Sequence, residues 1–298
     1  MLTKHLIIMI NLRRVAASAV AIAMGSFMMF SCVQDELETT PDNLISPEVA
    51  SGFAELGYDV SNLEVKDVSL EPGSAPVPTY VLEGDILVEK AKAMDIINEY
   101  LSGEVNEAPN GEQYRTNALV NAGTVSNPRT ITIIGYTGSG FALTSKMRTG
   151  LSWAVANYNR LNIEIQFSLS FAASTSADMV VYNNGAAGGG GSAGFPSGGN
   201  PFKWIQINAG TDAFSTNVNE HVITHEMGHC VGFRHTDYFN RSLSCGSGGN
   251  EGTAGVGAVH IPGTPTGNDT GSIMRACFNS GVDGEFGNFD IVALEFMY

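Results

Sequence analysis

The 298-residue sequence predicts an α+β fold built on a twisted mixed β-sheet with a backing helix. Two observations carry this. From residue 130 onward the hydrophobic pattern runs strand, helix, strand, strand, and the helix, Ser145 to Asn159, shows Met147, Leu151, Ala154, Val155 and Tyr158 on one face. Hydrophobic residues make up 43% of the chain, enough to fill one or two real cores.

At the start of the chain, Lys4, Arg13 and Arg14 precede an uncharged apolar stretch from Val15 to Phe30, the layout of an export signal. A membrane-spanning helix would need ~20 apolar residues, more than this stretch supplies. Met29-Phe30-Ser31-Cys32 resembles a bacterial lipobox with Cys32 as the lipidated residue. Met29 and Phe30 depart from the usual box, so ordinary signal cleavage stays open. The acidic Val33-Gln34-Asp35-Glu36 that follows looks like a tract directing lipoproteins outward. The expectation is an exported protein, held at the outer membrane or cell surface through a lipid on Cys32, or else secreted.

Without the three basic residues of positions 1–32, 12 Lys+Arg stand against 30 Asp+Glu, a net charge of −18. Nucleic acid and anionic lipid are excluded as natural partners on this balance. The charge is uneven: residues 33–125 carry 18 acidic and 4 basic residues, against 12 and 8 in 126–298. Three domains are expected: a signal peptide at 1–32, an acidic tether, pro-segment or N-terminal subdomain at 33–125, and a catalytic domain at 126–298. Assigning Cys32 to lipid leaves Cys230, Cys245 and Cys277. One disulfide and one buried thiol follow, with Cys245–Cys277 favoured because Cys230 falls inside an expected helix.

Residues 33–78 carry Pro41, Pro47, Pro72, Pro76 and Pro78 and read as a loosely ordered tether. Tyr80–Leu82 and Ile86–Val88 read as short strands around Gly84-Asp85, and Glu89–Leu101 as a helix. Further strands are expected at 130–134, 163–169, 178–182 and 203–208. The Gly-rich run 185–199 reads as a flexible connection: no Gly-Lys-Ser/Thr follows Gly188–Gly191, so it is not a phosphate loop.

Asn217 and Glu220 have capping-box spacing, which starts a helix near Val218. On it His225 and His229 are four apart, so both imidazoles share one face and can grip one ion. Gly232 is suited to ending the helix in a left-handed conformation, and His235 can then return as a third ligand, leaving a fourth tetrahedral position open. His-Glu-x-x-His alone is weak, because such pairs also occur on solvated helix faces. With glycine near 7% of residues and histidine rarer, the added Gly232 and His235 reduce coincidence by roughly a thousandfold. The reading is a zinc (Zn2+) site of His225, His229 and His235 with Glu226 as general base. His221 is expected at the surface or behind the ligands, and His260 in a loop.

This pattern resembles that of the metzincins, and Ser272-Ile273-Met274 is similar to their Met-turn. Val222-Ile-Thr-His-Glu-Met-Gly-His-Cys-Val-Gly-Phe-Arg-His-Thr-Asp-Tyr238 resembles the bacterial dual-action HEIGH metallopeptidases. Glu83-Gly-Asp85, Gln113-Tyr-Arg-Thr116 and Ser192-Ala-Gly-Phe-Pro-Ser197 are also similar to that family. The resemblance implies a metzincin-like fold with an active-site helix and a C-terminal helix at Asn288–Met297, with Asp290 structural. It implies Met274 beneath the ligands, Ala193–Phe195 as a substrate-pairing edge strand, and a protein or peptide substrate. Ala276 stands where some metzincins carry a zinc-reaching tyrosine. Residues 33–220 hold no cysteine to cover the metal, which leaves an acidic residue such as Asp85 for that part. The competing readings are a catalytically weak, surface-anchored binding protein on the same fold and a zinc hydrolase of non-peptide amides.

Overall fold

A computed structural model describes residues 45–55, 58, 60–101, 113–252, 256–265 and 267–298. The expected signal segment, the lipobox and the acidic tract after it lie outside these residues. In chain order the elements are α1 (Pro47–Glu55), β1 (Glu64–Val68), β2 (Val77–Leu82), β3 (Ile86–Glu89), α2 (Ala93–Leu101), β4 (Tyr114–Arg115), β5 (Arg129–Tyr136) and α3 (Ser145–Asn159). They continue as β6 (Ile165–Ala172), β7 (Met179–Asn183), β8 (Gly191–Ser192), β9 (Trp204–Ile207), α4 (Thr216–Val231), α5 (Ser242–Cys245), β10 (Val259–His260) and α6 (Asn288–Met297).

The main sheet has the order β6-β5-β7-β9-β8, in which only the pairing of β8 with β9 is antiparallel. This is the mixed sheet expected from the sequence. Crossovers between parallel strands need a long connection, and α3 supplies the one from β5 to β6. Thr144 caps α3 by accepting from Met147 N at 3.2 Å. Met147, Leu151, Ala154 and Tyr158 then bury against Ile131, Ile133, Val181 and Ile205 of the sheet and against Ile223 and Met227 of α4. Between the helices the Tyr158 hydroxyl donates to Thr224 O at 3.1 Å, and Asn157 Nδ2 donates to Glu220 Oε1 at 2.8 Å.

Several expectations are corrected. The stretch read as a loose tether contains α1 and β1, and β1-β2-β3 form a separate antiparallel sheet. Its small core joins Val49 and Phe53 of α1, which stand between prolines and show too short a pattern to read in sequence, to Tyr80, Leu82, Ile86 and Ile97 of the expected strands and helix. Helix α4 begins at Thr216, capped by Ser215, whose side chain accepts from Val218 N. Glu220 is drawn away from the expected capping box by Asn157 of α3. The Gly-rich run is not merely a connection, since Gly191 and Ser192 pair with Ile207 and Gln206 as the edge strand. That edge lies two residues before the expected Ala193–Phe195, and Ala193 instead bridges Ile86 in parallel. His260 belongs to β10, paired with Tyr114 of β4, rather than to a loop.

Gln113 is tied to the far end of the chain: its Nε2 donates to Ser272 Oγ at 3.0 Å and to Asp290 Oδ1 at 2.8 Å. Thr116 N donates to Gly232 O at 2.8 Å. Residues 113–116 are therefore held by the sheet-bearing part of the molecule.

Candidate metal centre

Helix α4 is buried on every side from Val218 to Val231. Its charged and polar residues must then find partners inside the protein, which singles it out from an amphipathic surface helix. The helix ends at Gly232, whose φ of 111° is left-handed as expected. Any side chain there would be strained, and a Cβ would come within 2.6 Å of Leu119 Cδ2. This reversal lets the chain double back, bridge Arg115 at Phe233, and bring His235 to face the helix.

The three Nε2 atoms of His225, His229 and His235 converge at 3.1, 3.2 and 3.3 Å from one another. A tetrahedral zinc with Zn–N bonds of about 2.0–2.1 Å requires ligand–ligand edges of about 3.3–3.4 Å. His225 Nδ1 donates to Ile273 O at 2.9 Å and His229 Nδ1 to Phe233 O at 3.0 Å. Those bonds fix the tautomers, so both Nε2 lone pairs point at a common centre where only a cation relieves them. Burial holds His229 well below the usual histidine range, in its neutral form. His235 differs: burial pulls it down, but the charges of Glu251 and Asp85 outweigh burial and raise it well above normal. The Asp85 carboxylate beside its Nε2 favours positive charge at that position, which a divalent cation would supply. The donor set, three imidazoles and a carboxylate, fits a zinc ion.

Asp85 comes from the β2–β3 turn, and its Oδ2 lies 3.1 Å from His235 Nε2 and 3.8 Å from His225 Nε2. Glu226 points into the cleft beside the histidines. Burial first, and the Asp85 charge second, push its carboxyl well above the usual range, and its Oε2 is buried without a hydrogen-bond partner. A carboxyl of raised basicity, unsatisfied by the fold, suits a proton acceptor. The cleft, ≈ 270 Å³, is lined by Gly189–Gly191, Val222, His225, Glu226 and Ala276–Phe278, with Glu83–Asp85 across it.

Beneath the cluster, Met274 is fully buried and its carbonyl accepts from Thr236 N at 2.8 Å. Asp290 at the start of α6 anchors this turn, accepting from Ser272 Oγ, Ile273 N, Gly287 N and Gln113 Nε2. Ile273 thus holds His225 while being held by Asp290. Cys245 and Cys277 form the expected disulfide, and Cys230 is a buried free thiol. His221 is buried, stacked against His225 at 6.5 Å, and not among the converging nitrogens.

All four residues expected at the centre from sequence are brought together. Two that were not expected there are Glu251, whose Oε1 accepts from His235 Nδ1 at 2.8 Å, and the fully buried Arg234. Glu251 lies in a Ser/Gly/Asn-rich stretch sixteen residues beyond His235, where no spacing rule marks it.

The family description "Dual-action HEIGH metallo-peptidase" matches residues 80–298. Two solved structures of myroilysin are similar to this chain. One shares 18% identity over 57% of this chain and 90% of that chain, with a TM-score of 0.36. The other shares 16% over 72% and 98%, with a TM-score of 0.38. No curated protein matches. With the family match spanning most of its length and the His225-Glu226-x-x-His229-x-x-Gly232-x-x-His235 run at its centre, the chain belongs to the dual-action HEIGH metallopeptidases.

Proposed function

We propose that the protein is a zinc-dependent peptidase in which His225, His229 and His235 hold the metal and Glu226 is the general base. The observation that carries this is the convergence of three Nε2 atoms at near-tetrahedral edge lengths, with Glu226 beside them and unsatisfied. Zinc, when bound, supplies a Lewis acid that acidifies water and polarises the scissile carbonyl. Glu226 accepts the proton from the attacking water and passes it to the leaving amine nitrogen, so the C–N bond breaks and a carboxylic acid and an amine result. As the edge strand of the main sheet, β8 is where an extended substrate would add as a further strand. Glu226→Gln should keep stoichiometric zinc and lose at least about 100-fold in kcat, the share a positioned base contributes. His235→Ala should lose zinc and activity together. Digestion of a denatured protein, read by mass spectrometry beside elemental analysis, checks both; near-normal turnover by the Gln variant refutes the base assignment.

The segment before Gln113 fits a pro-segment that keeps this site closed. Asp85 occupies the open side of the histidine cluster, and Leu87 N donates to Ala193 O while Ala193 N donates to Asp85 O, at 3.0 and 2.9 Å. The β2–β3 hairpin therefore already pairs with chain immediately following β8. Glu83, at φ 59°, is the non-glycine residue with positive φ among those described, a conformation that costs on the order of 1–2 kcal/mol. It buries its carboxylate 3.9 Å from Arg234. The bonds from Gln113 to Ser272 and Asp290 support a cut before residue 113, in the earlier part of an expected window of about 105–128. Expressing residues 113–298 beside 33–298 tests this: a soluble short form that is faster than the longer chain supports latency. An inactive or insoluble one makes the hairpin a permanent part of the catalytic unit. By the same reading residues 1–36 direct export and lipid attachment at the cell surface, which metabolic labelling with a radioactive fatty acid tests: label lost on Cys32→Ala supports it, and an unlabelled protein overturns it.

A further inference from the structure

The three candidate ligands are not held alike. His225 and His229 stand on a helix buried all round, and each donates its Nδ1 hydrogen to a backbone carbonyl. His235 lies beyond the left-handed Gly232, where no helix fixes its ring, and its Nδ1 partner is the carboxylate of Glu251 at 2.8 Å. Glu251 is itself held: its backbone N donates to Tyr238 O at 2.6 Å, and Arg241 Nε and Arg234 Nη2 lie 3.0 and 3.6 Å from its oxygens. The loop carrying it is fastened by the Cys245–Cys277 disulfide and by Arg241 N donating to Gly249 O at 2.9 Å.

We propose that Glu251 is the positioning residue for the third ligand: its carboxylate sets the His235 ring and tautomer and thereby decides how tightly the centre keeps its metal. This rests on the zinc reading above. An ionised acceptor makes a stronger and more directional bond than a carbonyl, which suits the one ligand lacking helical support. A carboxylate on the far nitrogen also raises the basicity of the ligating one. Glu83, His235 and Glu251 lie close enough to hold a second cation, but Arg234 stands among the two carboxylates and already supplies the positive charge.

The test is Glu251→Gln, which keeps the shape and one acceptor oxygen but removes the charge. Zinc affinity is measured by competition with a chromophoric chelator, and urea unfolding of the zinc-free protein is measured beside it. The expected result is zinc binding weakened by about 10- to 100-fold under conditions where the zinc-free variant is still folded, as the unfolding curve shows. Where the single variant fails to fold for loss of the buried charge beside Arg234 and Arg241, Glu251→Asp keeps that charge but withdraws it from His235 Nδ1, and the same loss of affinity is expected. Wild-type zinc affinity in whichever variant folds overturns the proposal, as does an affinity loss seen only where the zinc-free variant is unfolded. A wild-type protein that takes up no zinc at one per chain overturns the metal reading itself, a distinct outcome.

Discussion

Removing the Asp290 carboxylate should unfasten the floor of the metal centre. The side chain is fully buried and accepts four hydrogen bonds: Ser272 Oγ at 2.6 Å, and Gln113 Nε2, Ile273 N and Gly287 N at 2.8 Å each. Burial raises its carboxyl to about 6 against the pull of those donors, so at pH 7 it is still mostly ionised. Asp290→Ala leaves four donors without an acceptor, two of them backbone N–H groups that cannot turn away. At about 1 kcal/mol for each, the low end for a buried donor left without an acceptor, the loss is about 4 kcal/mol. That is a large share of the roughly 5–15 kcal/mol that stabilises a domain. Asp290→Asn should be far milder, about 1–2 kcal/mol. Its remaining oxygen can serve both backbone N–H groups, while the Ser272 hydroxyl and the Gln113 amide can rotate to accept from its NH2. Urea unfolding of the metal-free proteins at pH 7 measures both, since metal would add its own binding energy to the native state. An Ala variant that loses less than about 1 kcal/mol, or an Asn variant as damaged as Ala, would refute the reasoning. Because Ile273 O holds His225, the Ala variant should also bind zinc more weakly.

Two further predictions concern Gly191 and Glu220. A Cβ on Gly191 would meet Glu226 Cγ and Oε1 at 2.9 Å and Gln206 O at 2.8 Å, so Gly191→Ala must push the Glu226 carboxylate aside. Zinc content should hold while kcat falls by about 10- to 100-fold, the scale of a misplaced reacting group; steady-state kinetics with an unchanged kcat would overturn this. The second concerns Glu220, whose carboxyl burial raises to about 7 despite the hydrogen bond from Asn157. Since the folded value lies above the unfolded one, its contribution to stability is present below about pH 4.5 and is lost as pH rises through about 7. Glu220→Gln, which keeps an acceptor for Asn157, should therefore be more stable than wild type at pH 8, with the difference shrinking towards pH 5. Thermal melts at the two pH values check it, and a wild type more stable at pH 8 would reverse the sign.

What the sequence determined by itself follows from repeating local geometry. The i, i+4 spacing of His225 and His229 places two rings on one face wherever the helix sits, and Gly232 marks a left-handed end because only its backbone takes φ 111° without strain. The backing helix at Ser145–Asn159 was legible from its periodic apolar face, to its ends. The resemblance carried Met274, Asp290 and the C-terminal helix at Asn288–Met297, which local pattern alone does not mark as parts of a site. Only the tertiary structure decided the rest. Glu251 on His235 and Gln113 on Asp290 join residues 16 and 177 positions apart, and Asp85, which the sequence offered as an acidic cover for the metal, meets His235 across 150. The start of α4 was misplaced for the same reason: Asn157, 63 residues away, takes the Glu220 side chain that local spacing assigned to a cap. Helix periodicity constrains neighbours within a turn or two, whereas these contacts depend on how whole elements pack, and no spacing in a sequence encodes that.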